Sequence, residues 1–363
     1  SGVKNRENMV MKIGIPKEIK PLEGRVGLVP EACGELVKAG HQVLLEQGAG
    51  SASGYTDQTY QKAGVEIVSD AETIYRQAEL VVKVKEPYDN EPEMLREGQL
   101  LFCFLHLAAD EGLTRRLLHS GVTGIAFETV ADRGGLPILA PMSDIAGRIA
   151  VQNGVTLLHH QHGGRGLLLG GLPAAERGHV VILGAGQAGG NAAQLAAAMG
   201  ARVTVFDRLR EKMGAMRVLG NSVTALYPYQ DAISEAVAGA DLLIGAVLIP
   251  GAKAPHLISR RQISTMQAGS VVVDISVDQG GCIETTRPTT YEEPTYQVDG
   301  VTHFCVTNMP GAVPRSASQA LSAAMMPYLR RLVEGWQDDP RLKAAVNLSM
   351  GELIYPALRD QYL

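Results

Sequence analysis

Three glycines near the middle of the chain have the spacing of a loop that binds phosphate groups. The motif GAGQAG follows the apolar run HVVIL directly and opens a helical pattern. In that setting Gly184 permits a tight turn, Gly186 lets backbone N–H groups approach a pyrophosphate at a helix N-terminus, and Gly189 allows close packing of the helix on the strand. A cluster of turn glycines that binds nothing is the alternative.

An aspartate follows the next apolar run, where a dinucleotide-binding fold would contact a ribose. Asp207 comes after ARVTVF and lies 21 residues past Gly186. Its carboxylate can accept hydrogen bonds from both ribose hydroxyls, and its charge would repel a 2′-phosphate. NAD is therefore favoured over NADP, although the neighbouring Arg208 leaves NADP open. The loop that begins at Val247, after the run ADLLIGA, is expected to pass near the adenosine and the nicotinamide riboside.

Two aspartates belong to the next predicted strand, in the segment SVVVDISVDQGG. Ligands of open α/β sheets lie beyond the carboxyl ends of the strands. The strand predicted over 270–277 therefore places Asp278 at the mouth of a crevice, with Asp274 on the same side and deeper. A turn-forming aspartate before Gly280 and Gly281 is the alternative for Asp278.

Two cationic segments in the first half could hold an anionic substrate. Arg25 follows the first predicted strand in GRVGLVP, and a guanidinium can bind a carboxylate through two parallel hydrogen bonds. A surface arginine beside a helix start is the alternative. Lys83 and Lys85 alternate with valine in VVKVKEP, so both are predicted on one strand face. Lys85 is nearer the strand's end and could pair with a carboxylate or polarise a carbonyl, whereas a solvated strand face is the alternative for both lysines.

Histidines occur in two contrasting settings. His106 ends the apolar run LLFCFL, and an imidazole can transfer protons near neutral pH; a core histidine with satisfied hydrogen bonds is the alternative. His159, His160 and His162 are predicted on one long helix, where adjacent residues point about 100° apart. No carboxylate lies at ligand spacing from them. We interpret these three as surface or interface residues and predict no metal site.

The composition limits the class of protein. Hydrophobic residues make up 45% of the 363 residues, charged residues 20% and aromatic residues 5%, which favours aliphatic parallel sheets flanked by helices and excludes disorder. The net charge of −5 arises without a basic block, so neither nucleic acid nor an anionic membrane is an expected partner. No apolar run approaches the roughly 20 residues of a membrane helix. Four scattered cysteines and the lack of a signal-peptide pattern predict a reducing cytoplasm.

Apolar runs alternate with helical patterns in two series, which predicts two α/β domains, each with a mostly parallel sheet flanked by helices. The second series carries the glycine motif and is predicted to be a Rossmann-type dinucleotide-binding domain. A long amphipathic helix beginning near Met142 or Ser143 marks the crossing, and the helical C-terminal tail is expected to pack on the first domain. The predicted boundaries are 11–138 plus 316–363 for a substrate domain and 139–315 for an NAD-binding domain.

Long segments of the chain resemble the NAD-dependent alanine dehydrogenases from Met11 onward. The resemblance is carried by the segments GIPKEIKPLEGRVGLVP, LVVKVKEP, LLFCFLHLAAD, LAPMSDIAGR, GGRGLLLGG, VVILGAGQAGGNAA, GAVLIPGAKAP, VVDISVDQGGCIETTRPTTY and NMPGAVPRS. It implies a homohexamer of two-domain subunits, in which NAD and substrate meet in the cleft between the domains. It also implies the reversible conversion of L-alanine and NAD⁺ into pyruvate, ammonium and NADH.

The resemblance implies roles for single residues as well. Arg25 and Lys85 would hold the carboxylate and carbonyl region of the substrate, and His106 and Asp278 would be the pair that transfers protons. Further positions resemble cofactor contacts of the family: Met142, Ser143, Asp207, Val247, Asn308 and Met309.

Two other functions stay open. The soluble NAD(H)-binding component of a proton-translocating transhydrogenase resembles the first half of the chain, but that family lacks the histidine and the aspartate found here at His106 and Asp278. The second alternative is a nucleotide-sensing module without turnover. The chain departs from the alanine dehydrogenases at 316–318, at Thr307 and in the histidine-rich stretch over 159–162, which bears on oligomer contacts more than on chemistry.

Overall fold

The computed structural model describes residues 10–247 and 256–362. Within those residues the strands are β1 Lys12–Ile15, β2 Gln42–Glu46, β3 Glu66–Val68, β4 Leu80–Val82, β5 Leu100–Cys103, β6 Thr123–Ala126, β7 His179–Leu183, β8 Arg202–Phe206, β9 Val223–Leu226, β10 Leu242–Gly245, β11 Val271–Asp274, β12 Thr295–Val298, β13 Val301–Phe304, β14 Val346–Ser349 and β15 Glu352–Leu353. The α-helices of the same residues are α1 Pro30–Lys38, α2 Asp57–Lys62, α3 Ala71–Gln77, α4 Glu91–Met94, α5 Glu111–Ser120, α6 Ala140–Leu157, α7 Gln187–Ala198, α8 Arg210–Arg217, α9 Gln230–Ala238, α10 Arg260–Ile263, α11 Pro314–Gly335, α12 Pro340–Ala345 and α13 Pro356–Tyr362.

The chain divides into two compact units, each with its own sheet. One unit comprises the residues up to Met142 together with those from Gly311 onward, and the other comprises Ser143–Pro310. The predicted class, two α/β domains with mostly parallel sheets, is confirmed. The assignment of 11–138 plus 316–363 and of 139–315 to a substrate domain and an NAD-binding domain stays a prediction.

The sheet of the first unit has the strand order β15-β14-β6-β5-β4-β1-β2-β3. β1 to β6 are parallel, and their order is that of a doubly wound sheet, which reverses between β1 and β4. β4 is apolar and fully buried, and β1 and β5 are buried after their first residues, as expected for parallel strands covered by helices on both faces. The carboxyl ends of β1 and β4 therefore form the switch point of this sheet.

The C-terminal tail packs on the first unit. The backbone N–H groups of Val26 and Val29 donate to the hydroxyls of Ser318 and Ser322 on α11, at 3.0 and 3.1 Å. The tail, which the sequence predicts to be helical, also supplies β14 and β15. β14 pairs antiparallel with β6, so these strands extend the existing sheet and do not form a new one.

The sheet of the second unit has the order β12-β13-β11-β10-β7-β8-β9. Without the antiparallel edge strand β12, this is the Rossmann order, with its switch point between β7 and β10. The Rossmann-type prediction is confirmed. The sequence misses β9 and β12, because both are edge strands of four residues in which two residues are exposed, so neither shows a continuous buried apolar run.

The prediction that the histidine-rich stretch lies on the long helix is wrong. α6 ends at Leu157, and His160 to His162 form a separate 3-10 turn after it. The reason is local: Gly163 has φ +77°, and a Cβ on Gly164 would lie 2.2 Å from the carbonyl oxygen of Leu157. The chain folds back on the helix end at a distance that only glycine permits.

Candidate active site

The loop after β1 places Arg25 at the switch point of the first sheet. Gly27 in the same loop packs against the end of β4, because an added Cβ would lie 2.8 Å from the carbonyl oxygen of Val82. Ligands of doubly wound sheets bind where loops of neighbouring strands diverge in this way. The sequence GRVG thus brings an arginine to the place in this unit where a ligand is expected.

Arg25 is a buried side chain in a fixed orientation. It is 3% exposed, and its Nε and Nη2 donate to the two carboxylate oxygens of Glu23 at 2.7 and 2.8 Å. Its Nη1 donates to the sulfur of Met142 at 3.3 Å. The alternative of a surface arginine is therefore wrong. The bidentate pair with Glu23 orients the plane of the guanidinium.

Lys85 follows β4 and lies close to the same cationic group. Its side chain is 17% exposed, and its Nζ lies 3.9 Å from Oε2 of Glu86. Burial lowers the pKa of Lys85; Glu86 opposes that effect, and the charges of Lys20 and Arg25 add to it. A desolvated ammonium beside a guanidinium forms a site for an anion.

The two lysines of VVKVKEP differ in their surroundings, contrary to the prediction of one shared strand face. β4 ends at Val82, and Lys83 is 1% exposed. Its Nζ lies 3.4 Å from a carboxylate oxygen of Glu18 and 3.4 Å from one of Glu91. The alternative of a solvated strand face is wrong for Lys83.

His106 has a strained backbone next to the end of β5. The strand ends at Cys103, and His106 has φ +47°, in the left-handed region that residues other than glycine rarely adopt. Its N–H donates to Oε1 of Glu128 at 2.7 Å, and its ring stacks on Phe104 with centroids 5.9 Å apart. The side chain is exposed, so the alternative of a core histidine is wrong. Strain of this kind is common at functional sites.

The glycine loop of the second unit has the geometry predicted for nucleotide binding. Gly184 has φ +94°, and a Cβ there would lie 2.7 Å from the carbonyl oxygen of Ala246. A Cβ on Gly189 would lie 1.8 Å from the oxygen of Gly184, whereas a Cβ on Gly186 would have no atom of the described residues within 4 Å. Two glycines are thus required by packing, and the third leaves room for a ligand at the N-terminus of α7.

Asp207 links the glycine loop to the next loop. Its carboxylate accepts hydrogen bonds from the backbone N–H of Ala185 at 2.9 Å and from that of Leu209 at 2.8 Å. The side chain is half-buried at the end of β8. A carboxylate at this position beside the glycine loop fits the ribose of NAD. The glycine cradle, the helix N-terminus and this aspartate together match the requirements of a dinucleotide.

Asp278 and Asp274 lie at the end of β11, although the strand ends at Asp274 and not at 277. Asp278 is exposed in a 3-10 turn, Val277–Gln279, so it does lie in a turn before Gly280. Asp274 is fully buried and accepts hydrogen bonds from the N–H of Ser276 at 2.9 Å and the hydroxyl of Thr286 at 2.6 Å. Burial raises the pKa of Asp274. The deeper aspartate therefore organises the loop that presents the outer one.

The remaining predicted cofactor contacts are located as follows. Met142 is buried and Ser143 half-buried in the first turn of α6. Val247 is half-buried after β10, and the rest of its predicted loop, 248–251, lies outside the described residues. Asn308 is half-buried after β13, and the carbonyl oxygen of the buried Met309 accepts a hydrogen bond from the hydroxyl of Tyr291 at 2.8 Å.

The described residues were also considered for metal clusters and membrane-spanning helices, and they contain neither. In 10–247 and 256–362, no group of three or more histidine, cysteine, aspartate or glutamate side chains is arranged to hold a metal ion. Among the helices of those same ranges, none is long and apolar enough to cross a membrane.

Comparison with known proteins identifies the family. Residues 14–146 match the model of the N-terminal domain of alanine dehydrogenase/PNT, and residues 150–356 match that of the C-terminal domain. The alanine dehydrogenase of Halomonas elongata is 48% identical over 360 residues, which cover 97% of each chain. The chain belongs to the alanine dehydrogenase/PNT family.

Solved structures separate the two branches of the alanine dehydrogenase/PNT family. An L-alanine dehydrogenase matches with a TM-score of 0.94 and 47% identity, over 97% of this chain and 99% of that one. A transhydrogenase from Sinorhizobium meliloti matches with a TM-score of 0.84 and 27% identity, over 95% and 99%. Within the family, the chain is therefore more similar to the alanine dehydrogenase.

Several residues that hold the site together were missed by the sequence analysis. They are Glu18, Glu23 and Glu128, and the carboxylate of each contacts a predicted site residue. For Lys83, which the sequence places with Lys85 on one strand face, the missed feature is its contact with the Lys85 backbone. The available signal was weak. Glu23 lies two residues before Arg25 and Lys83 two before Lys85, but Glu18 and Glu128 are 67 and 22 residues from the groups that they bind.

Proposed function

We propose that this protein oxidises L-alanine with NAD⁺ and water to pyruvate, ammonium, NADH and a proton, and that it catalyses the reverse reaction. One observation carries the proposal. A chain that is 48% identical over 97% of its length to a protein named alanine dehydrogenase also has a buried arginine and a desolvated lysine at the switch point of its first sheet. That cationic pair suits a small carboxylic acid.

The chain's residues divide the work of binding. Arg25, oriented by Glu23, would hold the substrate carboxylate, and the ammonium of Lys85 would contact the carbonyl region. The loop of Gly184, Gly186 and Gly189 would hold the pyrophosphate. NAD⁺ held there would supply the acceptor for a hydride from Cα of alanine.

We assign the proton transfers to His106 and Asp278. The ammonium group of alanine first loses a proton, which is the proton released overall, and loss of hydride from Cα of the resulting amine leaves an iminium ion. Water attacks the iminium ion to give a carbinolamine, which collapses to pyruvate and ammonium. Water must lose a proton in the attack and the amino group must gain one in the collapse. General acid–base groups accelerate such steps by roughly 10² to 10⁴. The exposed ring of His106 is held through its backbone by Glu128, which suits this role.

Further contacts to the dinucleotide are assigned by family resemblance. Asp207 would bind the adenosine ribose. Met142, Ser143, Val247, Asn308 and Met309 would line the remainder of the site. We also propose, from the resemblance alone, that the protein is a cytoplasmic homohexamer, which light scattering of the purified chain and fractionation of its source cells would test.

The test is formation of NADH from NAD⁺ and L-alanine, followed by absorbance, with pyruvate measured in the same sample. We expect equal amounts of NADH and pyruvate from L-alanine and no signal from D-alanine. Hydride exchange between two nicotinamide nucleotides without use of alanine would favour the transhydrogenase alternative. Binding of NADH without any turnover would favour a sensor.

A further inference from the structure

A cluster of three buried charges lies behind Lys85. The side chains of Lys83, Glu18 and Glu91 are each 2% exposed or less, and the lysine Nζ is 3.4 Å from an oxygen of each glutamate. Because the attraction of Glu18 and Glu91 outweighs burial, the pKa of Lys83 is raised. Removing such ions from water has a penalty of several kcal/mol each. None of the three has a part in the proposed reaction, so the cluster calls for another explanation.

Two of the three side chains bind both peptide groups of Lys85. Oε1 of Glu18 accepts hydrogen bonds from the N–H of Lys85 at 2.7 Å and from that of Val84 at 3.2 Å. Nζ of Lys83 donates to the carbonyl oxygen of Lys85 at 2.9 Å. Glu91 does not contact Lys85; it accepts from the hydroxyl of Tyr75 at 2.9 Å.

The strand ladder ends where these contacts begin. Beyond β4, the N–H of Lys83 still donates to Phe102 at 3.2 Å, and the carbonyl oxygen of Val84 accepts from Phe104 at 2.9 Å. The next backbone groups, the N–H of Val84 and both peptide groups of Lys85, bond to Glu18 and Lys83 instead. The side chains of Glu18 and Lys83 thus supply the hydrogen bonds that a neighbouring strand no longer provides.

We propose that Glu18 and Lys83 are positioning residues that fix the backbone of Lys85, and with it the ammonium that receives the substrate. The inference rests on the proposed function, which gives Lys85 its role. A substrate-holding group that is misplaced by about 1 Å can lower the rate about a hundredfold. Release of the Lys85 backbone should therefore weaken the use of alanine while the glycine loop, in the other unit, still binds NADH.

The experiment compares Glu18→Ala with Glu18→Gln. Glutamine keeps an oxygen that accepts from both N–H groups and leaves Lys83 paired with Glu91; alanine leaves the N–H groups without an acceptor. An unsatisfied buried group has a penalty of about 1–3 kcal/mol, equivalent to roughly 5- to 150-fold. We expect the KM for L-alanine to rise at least about tenfold in Glu18→Ala and to stay within about threefold in Glu18→Gln. The dissociation constant of NADH should be unchanged in both.

Three further variants keep the result interpretable. Glu91→Gln removes the negative charge of one partner of Lys83 and leaves the contacts of Lys85 intact, so we expect an unchanged KM for L-alanine. A rise equal to that of Glu18→Ala would overturn the proposal. If Glu18→Ala does not fold, the double variant Lys83→Met with Glu18→Gln removes the bond to the Lys85 oxygen and retains the acceptor for the N–H groups. It leaves Glu91 with the hydroxyl of Tyr75 and without its cationic partner, and it should still raise the KM. Lys85→Met tests whether the ammonium of Lys85 receives the substrate, as the proposed function assumes.

The outcomes separate the two proposals. If Lys85→Met leaves the KM for alanine unchanged, the role of Lys85 in the proposed function is wrong. If Lys85→Met raises the KM but folded Glu18→Ala and the double variant do not, only the positioning role is wrong. A lower melting temperature in those two variants with a normal KM would show a purely structural cluster.

Discussion

Alanine substitutions at three glycines near the start of α7 can test nucleotide binding and folding stability separately, because each adds one methyl group in different surroundings. A Cβ on Gly189 would lie 1.8 Å from the oxygen of Gly184, and a Cβ on Gly186 would meet nothing within 4 Å in the part of the chain that the structure describes. A Cβ on Gly190 would lie 3.4 Å from Cε of Met216, an ordinary contact. The three alanine substitutions therefore differ in what the added carbon meets.

The structure gives a magnitude for each substitution. Gly189→Ala must displace backbone, which destabilises a packed core by about 1–3 kcal/mol or more and should lower the melting temperature by about 2–4 °C per kcal/mol. Gly186 has φ −75°, so Gly186→Ala adds no backbone strain. Its methyl group would occupy the space expected for the pyrophosphate. A loss of about 1.4 kcal/mol there weakens NADH binding about tenfold. Gly190→Ala should gain up to about 1 kcal/mol from helix propensity.

The assay combines thermal unfolding with fluorescence titration of NADH. We expect Gly189→Ala to lose both stability and affinity, Gly186→Ala to lose affinity alone, and Gly190→Ala to lose neither. Gly186→Ala is the critical variant, because no residue of 10–247 or 256–362 contacts its new methyl group. Normal NADH affinity in a folded Gly186→Ala protein would refute the placement of the pyrophosphate at this loop.

Three other predictions follow from charges. Because burial lowers the pKa of Lys85, its ammonium loses its proton at a pH below the pKa of an ordinary lysine. Inhibition by pyruvate should therefore weaken as the pH rises through that range in the wild type but not in Lys85→Arg; identical pH profiles would contradict this. Asp207→Ala removes a charged hydrogen-bond acceptor worth about 1.5–3 kcal/mol, so NADH should bind at least about tenfold more weakly while discrimination against NADPH falls; unchanged discrimination would rule out the ribose contact. Arg341 lowers the pKa of Asp339 to about 2, so this carboxylate contributes stability above its unfolded pKa of about 3.9 that is lost as the pH falls towards 2. Urea unfolding of Asp339→Asn should show a flatter loss over that range, and a slope equal to wild type would be evidence against the pair.

The sequence predicts the second sheet and its ligand loop well, because the signals are local. The glycine motif, the strands on either side and Asp207 all lie within 179–207, and burial of aliphatic runs makes these strands easy to identify. Edge strands such as β9 were missed because half their residues face solvent. The order of the strands within each sheet, which sets the two switch points, is not determined by the apolar runs alone.

The candidate site of the first unit was predicted only as a set of residue types. The alternation of VVKVKEP does not distinguish buried Lys83 from half-buried Lys85, because the difference arises from Glu18, in the loop after β1, and from Glu91, at the start of α4. The strained backbone of His106 likewise donates a hydrogen bond to Glu128, a residue that follows β6 and is distant in the sequence. Such long-range polar contacts have no periodic signature in a sequence.

The assignment of the chemistry to His106 and Asp278 is tested most directly by single-turnover oxidation of L-alanine with saturating NAD⁺, measured as NADH absorbance in the wild type, His106→Ala and Asp278→Ala. The account predicts a rapid rise in the wild type and rates at least about a hundredfold lower in both variants, with NADH affinity close to normal. Wild-type rates in both variants would contradict it.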